Sequence, residues 1–73
     1  MTPEAATISI TVNGEETGVP EGTSLLGLLG RLGRDPRTVA IEANGEIVGR
    51  AAYGDYRLGE GDRLEIVHFV QGG

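Results

Sequence analysis

The stretch Ser24-Leu25-Leu26-Gly27-Leu28-Leu29-Gly30-Arg31-Leu32-Gly33 (residues 24–33) decides how this chain folds. Its leucines recur at the i, i+3, i+4, i+7 spacing of one helix face: Leu25, Leu28, Leu29 and Leu32. Leu26 widens this apolar stripe. Thr23 or Ser24 can cap the start, and Gly33 suits the end because a left-handed residue there is usually glycine. We find no second helix of this length in the chain, so this one has to cover the apolar face of any sheet.

Two glycines interrupt the predicted helix. Gly27 and Gly30 each cost about 1 kcal/mol relative to alanine in a helix interior. Either the helix is simply a weak one, or the missing side chains allow it to lie close against a sheet. We favour the second interpretation.

Strand patterns occur on both sides of this helix. Residues 7–12 alternate strictly between apolar and hydroxyl side chains, as a half-buried strand does. Asn13-Gly14 and Asn44-Gly45 are typical of type I′ hairpin turns, whose two central residues both have positive φ. The remaining predicted strands are 15–19, 38–44, 46–48 and 63–70, the last being the longest apolar one. Between the last two strands, residues 49–62 are predicted to be irregular. They contain one helical turn near 49–54, a brief extended segment at 56–58 and a turn at 59–62, and their apolar anchor is Tyr53.

This order of elements predicts an α+β domain with the β-grasp (ubiquitin-like) plan. In that plan one main helix lies across one face of a mixed four- to five-stranded sheet, and the first and last strands are parallel neighbours at its centre. We expect a single domain over 1–73, with a loose leader at 1–6 and a flexible C-terminal tail at 70–73.

Composition excludes several classes of function. The net charge is −5, which disfavours binding to nucleic acid and suits a partner with a basic face. The chain has no cysteine, which rules out disulfides and thiol chemistry within it. No apolar run approaches the length of a membrane span, so we expect a soluble, cytoplasmic protein. All six cations are arginines, and whether the absence of lysine is functional is left open.

The tail Val70-Gln71-Gly72-Gly73 is the strongest candidate for chemistry. Two glycines can enter a slot too narrow for any side chain, and they leave the Gly73 carboxylate unhindered. The alternative is an ordinary frayed terminus. The tail follows an apolar strand directly, with no linker between, and this favours a segment that is inserted into a partner protein.

Three further candidates lie near the tail. Val67 and Phe69 are predicted on the sheet face opposite Leu64, where they form either a docking patch for a partner or a second small core; we favour the patch. His68 shares the parity of Leu64, so it is predicted on the core side but partly exposed, and packing or partner contact suits it better than metal or catalytic chemistry. Asp62 is predicted to be a turn residue.

Three motifs occur together in this chain: Asn44-Gly45-Glu46-Ile47-Val48, Gly61-Asp62-Arg63-Leu64-Glu65-Ile66-Val67 and the terminal Gly72-Gly73. In this combination they resemble the motifs of the sulfur carrier proteins of thiamine biosynthesis, and the resemblance covers nearly the whole chain after Ala6. The family often carries tryptophan where Tyr53 stands here, a difference expected to affect packing and not chemistry.

The resemblance implies a substrate protein and not an enzyme, with no cofactor, metal or catalytic residue of its own. An E1-like adenylating enzyme would use Mg-ATP to convert the Gly73 carboxylate into an acyl-adenylate. Sulfur from a cysteine desulfurase relay would then give a thiocarboxylate, which thiazole synthase would consume. Val70, Gln71 and Gly72 would be the segment inserted into these partners.

Three alternatives remain open from the sequence. The chain could carry sulfur for molybdopterin or another sulfur-inserting pathway, because the chemistry of the tail would be the same. It could be a ubiquitin-like protein modifier. It could also be a plain β-grasp interaction module with an inert tail.

Overall fold

The computed structural model describes residues 6–69 of the chain. The predicted tail, 70–73, and the leader up to residue 5 lie outside these residues. The strands are β1 (Thr7–Val12), β2 (Glu15–Pro20), β3 (Val39–Ala43), β4 (Glu46–Val48) and β5 (Arg63–His68). One helix, α1 (Leu25–Leu32), follows β2, and two 3-10 turns occupy Pro36–Thr38 and Arg50–Ala52.

The five strands form one sheet in the order β2-β1-β5-β3-β4. β1 and β5 are parallel, while the pairs β1–β2, β3–β5 and β3–β4 are antiparallel. The first and last strands are therefore parallel neighbours in the middle of a mixed sheet. The predicted β-grasp fold is confirmed.

Both hairpin turns have the predicted backbone. Asn13 and Gly14 have φ of 51° and 84°, and Asn44 and Gly45 have φ of 53° and 87°. These left-handed pairs match the right-handed twist of the strands that they join. Each turn connects its strands in a single register, with Val12 opposite Glu15 and Ala43 opposite Glu46.

Helix α1 begins and ends as its sequence predicts. Of the two cap candidates it is Ser24 that serves, since its Oγ accepts a hydrogen bond from the Gly27 N–H at 3.0 Å. Gly33 closes the helix in the left-handed conformation, with φ of 70°. Leu25, Leu28 and Leu29 are fully buried, whereas Leu32, in the last turn, is 41% exposed and lies outside the buried core.

The expectation that Gly27 and Gly30 bring the helix close to the sheet is wrong. A Cβ at Gly30 would meet no atom within 4 Å, and one at Gly27 would contact only Ser24 Oγ and Thr23 Cγ2 in the helix cap. At about 100° per residue both glycines lie opposite the buried leucines, so they face away from the sheet. They weaken the helix without improving its packing.

The core lies between α1 and one face of the sheet, and buried residues come from every element except β4 and the 3-10 turns. Its members are Ile8, Ile10, Val19, Leu25, Leu28, Leu29, Val39, Ile41, Ala43, Tyr53, Leu58, Leu64 and Ile66. Tyr53 is 2% exposed, so the predicted anchor of the irregular segment is confirmed. The predicted extended segment at 56–58 makes a single bridge, Arg57 to Ser24, which ties it to the start of the helix.

Replacing Gly30 with alanine should stabilise the protein by about 0.5–1 kcal/mol, because the added methyl group meets nothing and the unfolded chain loses conformational freedom. Urea unfolding followed by circular dichroism measures this change. Gly33→Ala is the matched control: the same methyl group also meets no atom, but at φ of 70° it should destabilise by about 1–2 kcal/mol. A Gly30→Ala variant no more stable than the parent would contradict the position of the glycine in the fold.

Candidate functional site

The candidate site lies where β5 leaves the sheet. β5 is flanked by β1 on one side and by β3 on the other, and its Leu64 and Ile66 point into the core. After His68, the N–H of Phe69 still donates to the Thr38 carbonyl at 3.0 Å. The chain up to Phe69 is thus held beside β3, and the predicted tail begins at the next residue.

An apolar patch lies next to the end of β5, on the sheet face opposite α1. Its members are Ile47, Val67 and Phe69, with exposed fractions of 79%, 58% and 43%. The exposure of Val67 and Phe69 removes the alternative of a second small core on this face. Sequence reasoning missed Ile47, although a signal was present. The two-residue turn Asn44-Gly45 places Ile47 opposite Glu42, which alternates with the buried apolar residues of β3 and so faces away from the core.

Two carboxylates border the apolar patch. Glu42 and Glu65 are directly opposite each other on β3 and β5, and both are exposed. Together with Ala40, Ile41, Ile47 and Val67 they line a shallow hollow of about 130 Å³. Like charges in directly opposite positions destabilise a sheet, so this pair costs stability in the free protein. A cation placed over the hollow would remove that cost.

The 3-10 turn before β3 is held by a charged pair close to the end of β5. The Asp35 carboxylate accepts hydrogen bonds from the Arg37 backbone N–H at 2.9 Å and from its guanidinium at 2.9 and 3.2 Å. The bonds from the Arg37 side chain, and then the one from its backbone N–H, lower the pKa of Asp35 to about 2. The turn ends at Thr38, the residue that bonds Phe69.

Asn13 makes the contact that sequence reasoning missed. Its Oδ1 accepts a hydrogen bond from the Ile66 N–H at 2.7 Å, and its Nδ2 donates to the Ile66 carbonyl at 3.2 Å. For this residue the sequence predicts only the turn conformation. The sequence shows a turn-forming asparagine but not that the turn lies beside β5, a strand 53 residues away along the chain.

The other predicted residues have structural positions. Asp62 accepts a hydrogen bond from the Gly59 N–H at 2.8 Å and another from Asn44 Nδ2 at 3.2 Å, which confirms it as a turn residue. His68 is exposed, although its parity is that of the core-facing residues. Within residues 6–69 no group of three or more histidine, aspartate or glutamate side chains could hold a metal ion.

This arrangement defines a class of protein: a ubiquitin-like β-grasp domain whose central strand runs past an apolar patch and directly precedes the predicted tail. The model of the ThiS family matches residues 5–73, nearly the whole chain and all of its tail. The chain belongs to the ThiS family.

Individual relatives agree with this assignment. The sulfur carrier protein ThiS of Bacillus subtilis is 35% identical over 63 residues, which cover 85% of this chain and 96% of that protein. Thiazole synthases of Paramagnetospirillum magneticum and Magnetococcus marinus are 42% and 46% identical over 66 residues. This match covers 90% of the chain but only 20% of each synthase, so the chain spans about a fifth of their length.

Solved structures lead to the same family. The crystal structure of the thiamine biosynthesis protein ThiS from Geobacter metallireducens superposes with a TM-score of 0.78 at 32% identity, covering 90% of this chain and all of that one. A designed protein based on human ubiquitin superposes with a TM-score of 0.53 at 22% identity over 92% of this chain and 95% of its own, which supports the fold alone. Among residues 6–69, no helix is long and apolar enough to cross a membrane.

The Asp35 carboxyl should titrate near pH 2 in the folded protein, and Arg37→Gln should move its midpoint up toward the ordinary value of 3.8. Because folding lowers this pKa, the pair contributes stability above about pH 4, and that contribution is lost as the pH falls through 2. Carboxyl chemical shifts followed by NMR against pH measure both midpoints. Arg34→Gln serves as the control and should leave the midpoint of Asp35 in place; an Arg37→Gln midpoint still near 2 would contradict the assigned cause.

Proposed function

We propose that this protein is a sulfur carrier for thiamine biosynthesis, which receives sulfur on the Gly73 carboxylate and delivers it as a thiocarboxylate. The observation that carries the proposal is the ThiS family match, which runs through the terminal Gly72-Gly73. The likeness to the Bacillus subtilis sulfur carrier over 96% of its length supports it. Gly73 is the residue modified in this scheme, and the segment inserted into partners consists of Val70, Gln71 and Gly72.

The Gly73 carboxylate is a poor electrophile, so it has to be activated before sulfur can be added. It attacks the α-phosphate of ATP, pyrophosphate leaves, and an acyl-adenylate forms. A persulfide sulfur then attacks the activated carbonyl and displaces AMP, because sulfur is a strong nucleophile near neutral pH. A thiol cleaves the resulting acyl disulfide at its S–S bond, which leaves the thiocarboxylate on Gly73.

The proposed partners divide this work. An E1-like adenylating enzyme holds ATP and magnesium, a cysteine desulfurase relay supplies the persulfide, and thiazole synthase consumes the thiocarboxylate. The carrier binds no cofactor and acts in the cytoplasm in this scheme. A thiazole synthase partner has separate support, since two thiazole synthases contain a region similar to this chain.

We assign docking to the apolar patch formed by Ile47, Val67 and Phe69. The patch is exposed beside the end of β5, where the predicted tail begins, so one partner surface would contact the patch while the tail enters that partner's active site. The opposed Glu42 and Glu65 favour a partner with a basic side chain over the hollow, and the net charge of −5 would speed encounter with such a face.

Intact mass spectrometry tests the function. Incubation with the adenylating enzyme, Mg-ATP and a sulfur source should raise the mass by one oxygen-to-sulfur exchange, located at Gly73 by fragmentation. A variant with one residue added after Gly73 is the control and should stay unchanged. An unchanged mass for the parent chain would contradict sulfur carriage, and transfer to a molybdopterin synthase instead of thiazole synthase would reassign the pathway.

Replacing Val67 or Ile47 with glutamine should lower kcat/KM for adenylation about tenfold, because an exposed apolar contact at the centre of an interface contributes more than 1 kcal/mol to binding. The unfolding free energy should change little, as both side chains are exposed. Leu26→Gln is the matched control: Leu26 is 46% exposed but lies on the helix, on the other side of the domain. Equal losses in all three variants would remove the assignment of the docking face.

A further inference from the structure

The hydrogen bonds between β1 and β5 follow a parallel ladder that Asn13 completes with its side chain. The Thr11 N–H donates to the Asp62 carbonyl, and the Asn13 N–H donates to the Leu64 carbonyl, each at 2.9 Å. A parallel ladder continued by two residues would bring the carbonyl of residue 13 to the Ile66 N–H and the N–H of residue 15 to the Ile66 carbonyl. The turn at Asn13-Gly14 directs the backbone elsewhere, because residue 15 already starts β2.

The Asn13 carboxamide replaces both of these backbone groups. Its Oδ1 stands where the carbonyl of residue 13 would accept, 2.7 Å from the Ile66 N–H. Its Nδ2 stands where the N–H of residue 15 would donate, 3.2 Å from the Ile66 carbonyl. The side chain thus extends the pairing of β5 by one step beyond the end of β1, on the side of the strand opposite β3.

Ile66 lies three residues before the last described residue, Phe69. Between Ile66 and Phe69, the backbone of β5 pairs with β3, through Ala40 and Val39, and then with Thr38. With Asn13 in place, only residues 67–69 are held from β3 alone. Without its side chain this one-sided stretch would begin directly after Leu64, and a longer end of the strand could swing about the β3 edge.

We propose that Asn13 is a positioning residue for sulfur loading: by holding both sides of β5 up to Ile66, it sets the direction in which the chain leaves toward Gly73. The inference rests on the proposed carrier function and adds to it a residue that touches no reacting atom. An oriented tail would bring the Gly73 carboxylate to the adenylating site in fewer conformations, and orientation of this kind acts on the chemical step.

The chain contains a matched control at its other hairpin. Asn44 also precedes a glycine, has φ of 53°, and accepts a hydrogen bond from a β5 backbone N–H, that of Arg63, at 3.0 Å. It holds the first residue of β5, whereas Asn13 holds the strand near its end. Replacing either asparagine with glycine preserves the turn, since Gly-Gly is compatible with type I′ geometry, and removes only the side-chain bonds.

Hydrogen exchange on the free protein tests the structural part. In Asn13→Gly the amides of Ile66 and Phe69 should exchange about tenfold faster, the factor expected when roughly one net hydrogen bond is lost. Phe69 is the informative amide, because its own partner, the Thr38 carbonyl, is untouched by the substitution. In Asn44→Gly the Arg63 amide should exchange faster while Phe69 keeps the parent rate. Unchanged Phe69 exchange in Asn13→Gly would overturn the proposal.

Adenylation kinetics test the functional part, at a temperature where circular dichroism shows both variants folded. Asn13→Gly should lower kcat about tenfold and leave KM nearly unchanged, since the apolar patch is intact, while Asn44→Gly should retain the parent kcat. Equal kcat values for the two variants would overturn the positioning role. If the parent chain itself is not adenylated, the carrier function fails, and the exchange measurements still decide whether Asn13 holds the end of β5.

Discussion

The parallel pairing of β1 with β5 is the constraint on which the rest of the structure depends. Hydrogen bonds from the N–H groups of Thr11 and Asn13 join the first strand to the last one, about 50 residues later in the chain. Two parallel neighbours cannot be joined by a tight turn, so the intervening chain has to cross the sheet. That crossing contains α1, whose buried leucines close the core over one face. The pairing therefore places the C-terminal strand at the centre of the sheet, where its path is set from both sides.

The same constraint explains why the end of β5 is accessible. β1 turns back at Asn13 to form its hairpin, while β3 continues beside β5 as far as His68 and the 3-10 turn reaches Phe69 through Thr38. β5 is therefore paired on both sides up to Ile66 and only on the β3 side after it. The Asn13 carboxamide makes the last contact on the β1 side. Such a transition suits the proposed insertion of the tail into a partner protein, because the strand before the tail is then held firmly while its end remains exposed.

A single helix leaves one face of the sheet uncovered, and this face has a distinctive composition. Ile47, Val67 and Phe69 expose apolar surface next to the root of the tail, and Glu42 faces Glu65 across the two neighbouring strands. Neither feature stabilises the isolated domain, because exposed apolar groups and opposed like charges both carry a cost. Both would become favourable against an apolar surface with a basic rim. The proposed division of labour follows, in which the carrier supplies binding and orientation and the partner enzymes supply the catalysis.

The sequence by itself determined the local structure, because propensity and sterics decide the backbone conformation over a few residues. Examples are the alternation of residues 7–12, the leucine spacing of α1, the Asn-Gly turns and the caps at Ser24 and Gly33. It also determined the β-grasp fold, since one helix can cover a small sheet in few ways. Only the tertiary structure decided that Asn13 pairs with Ile66, that Ile47 joins Val67 in one patch and that Glu42 opposes Glu65. Those relations depend on the order and register of strands that are distant in the chain, and no local pattern contains them.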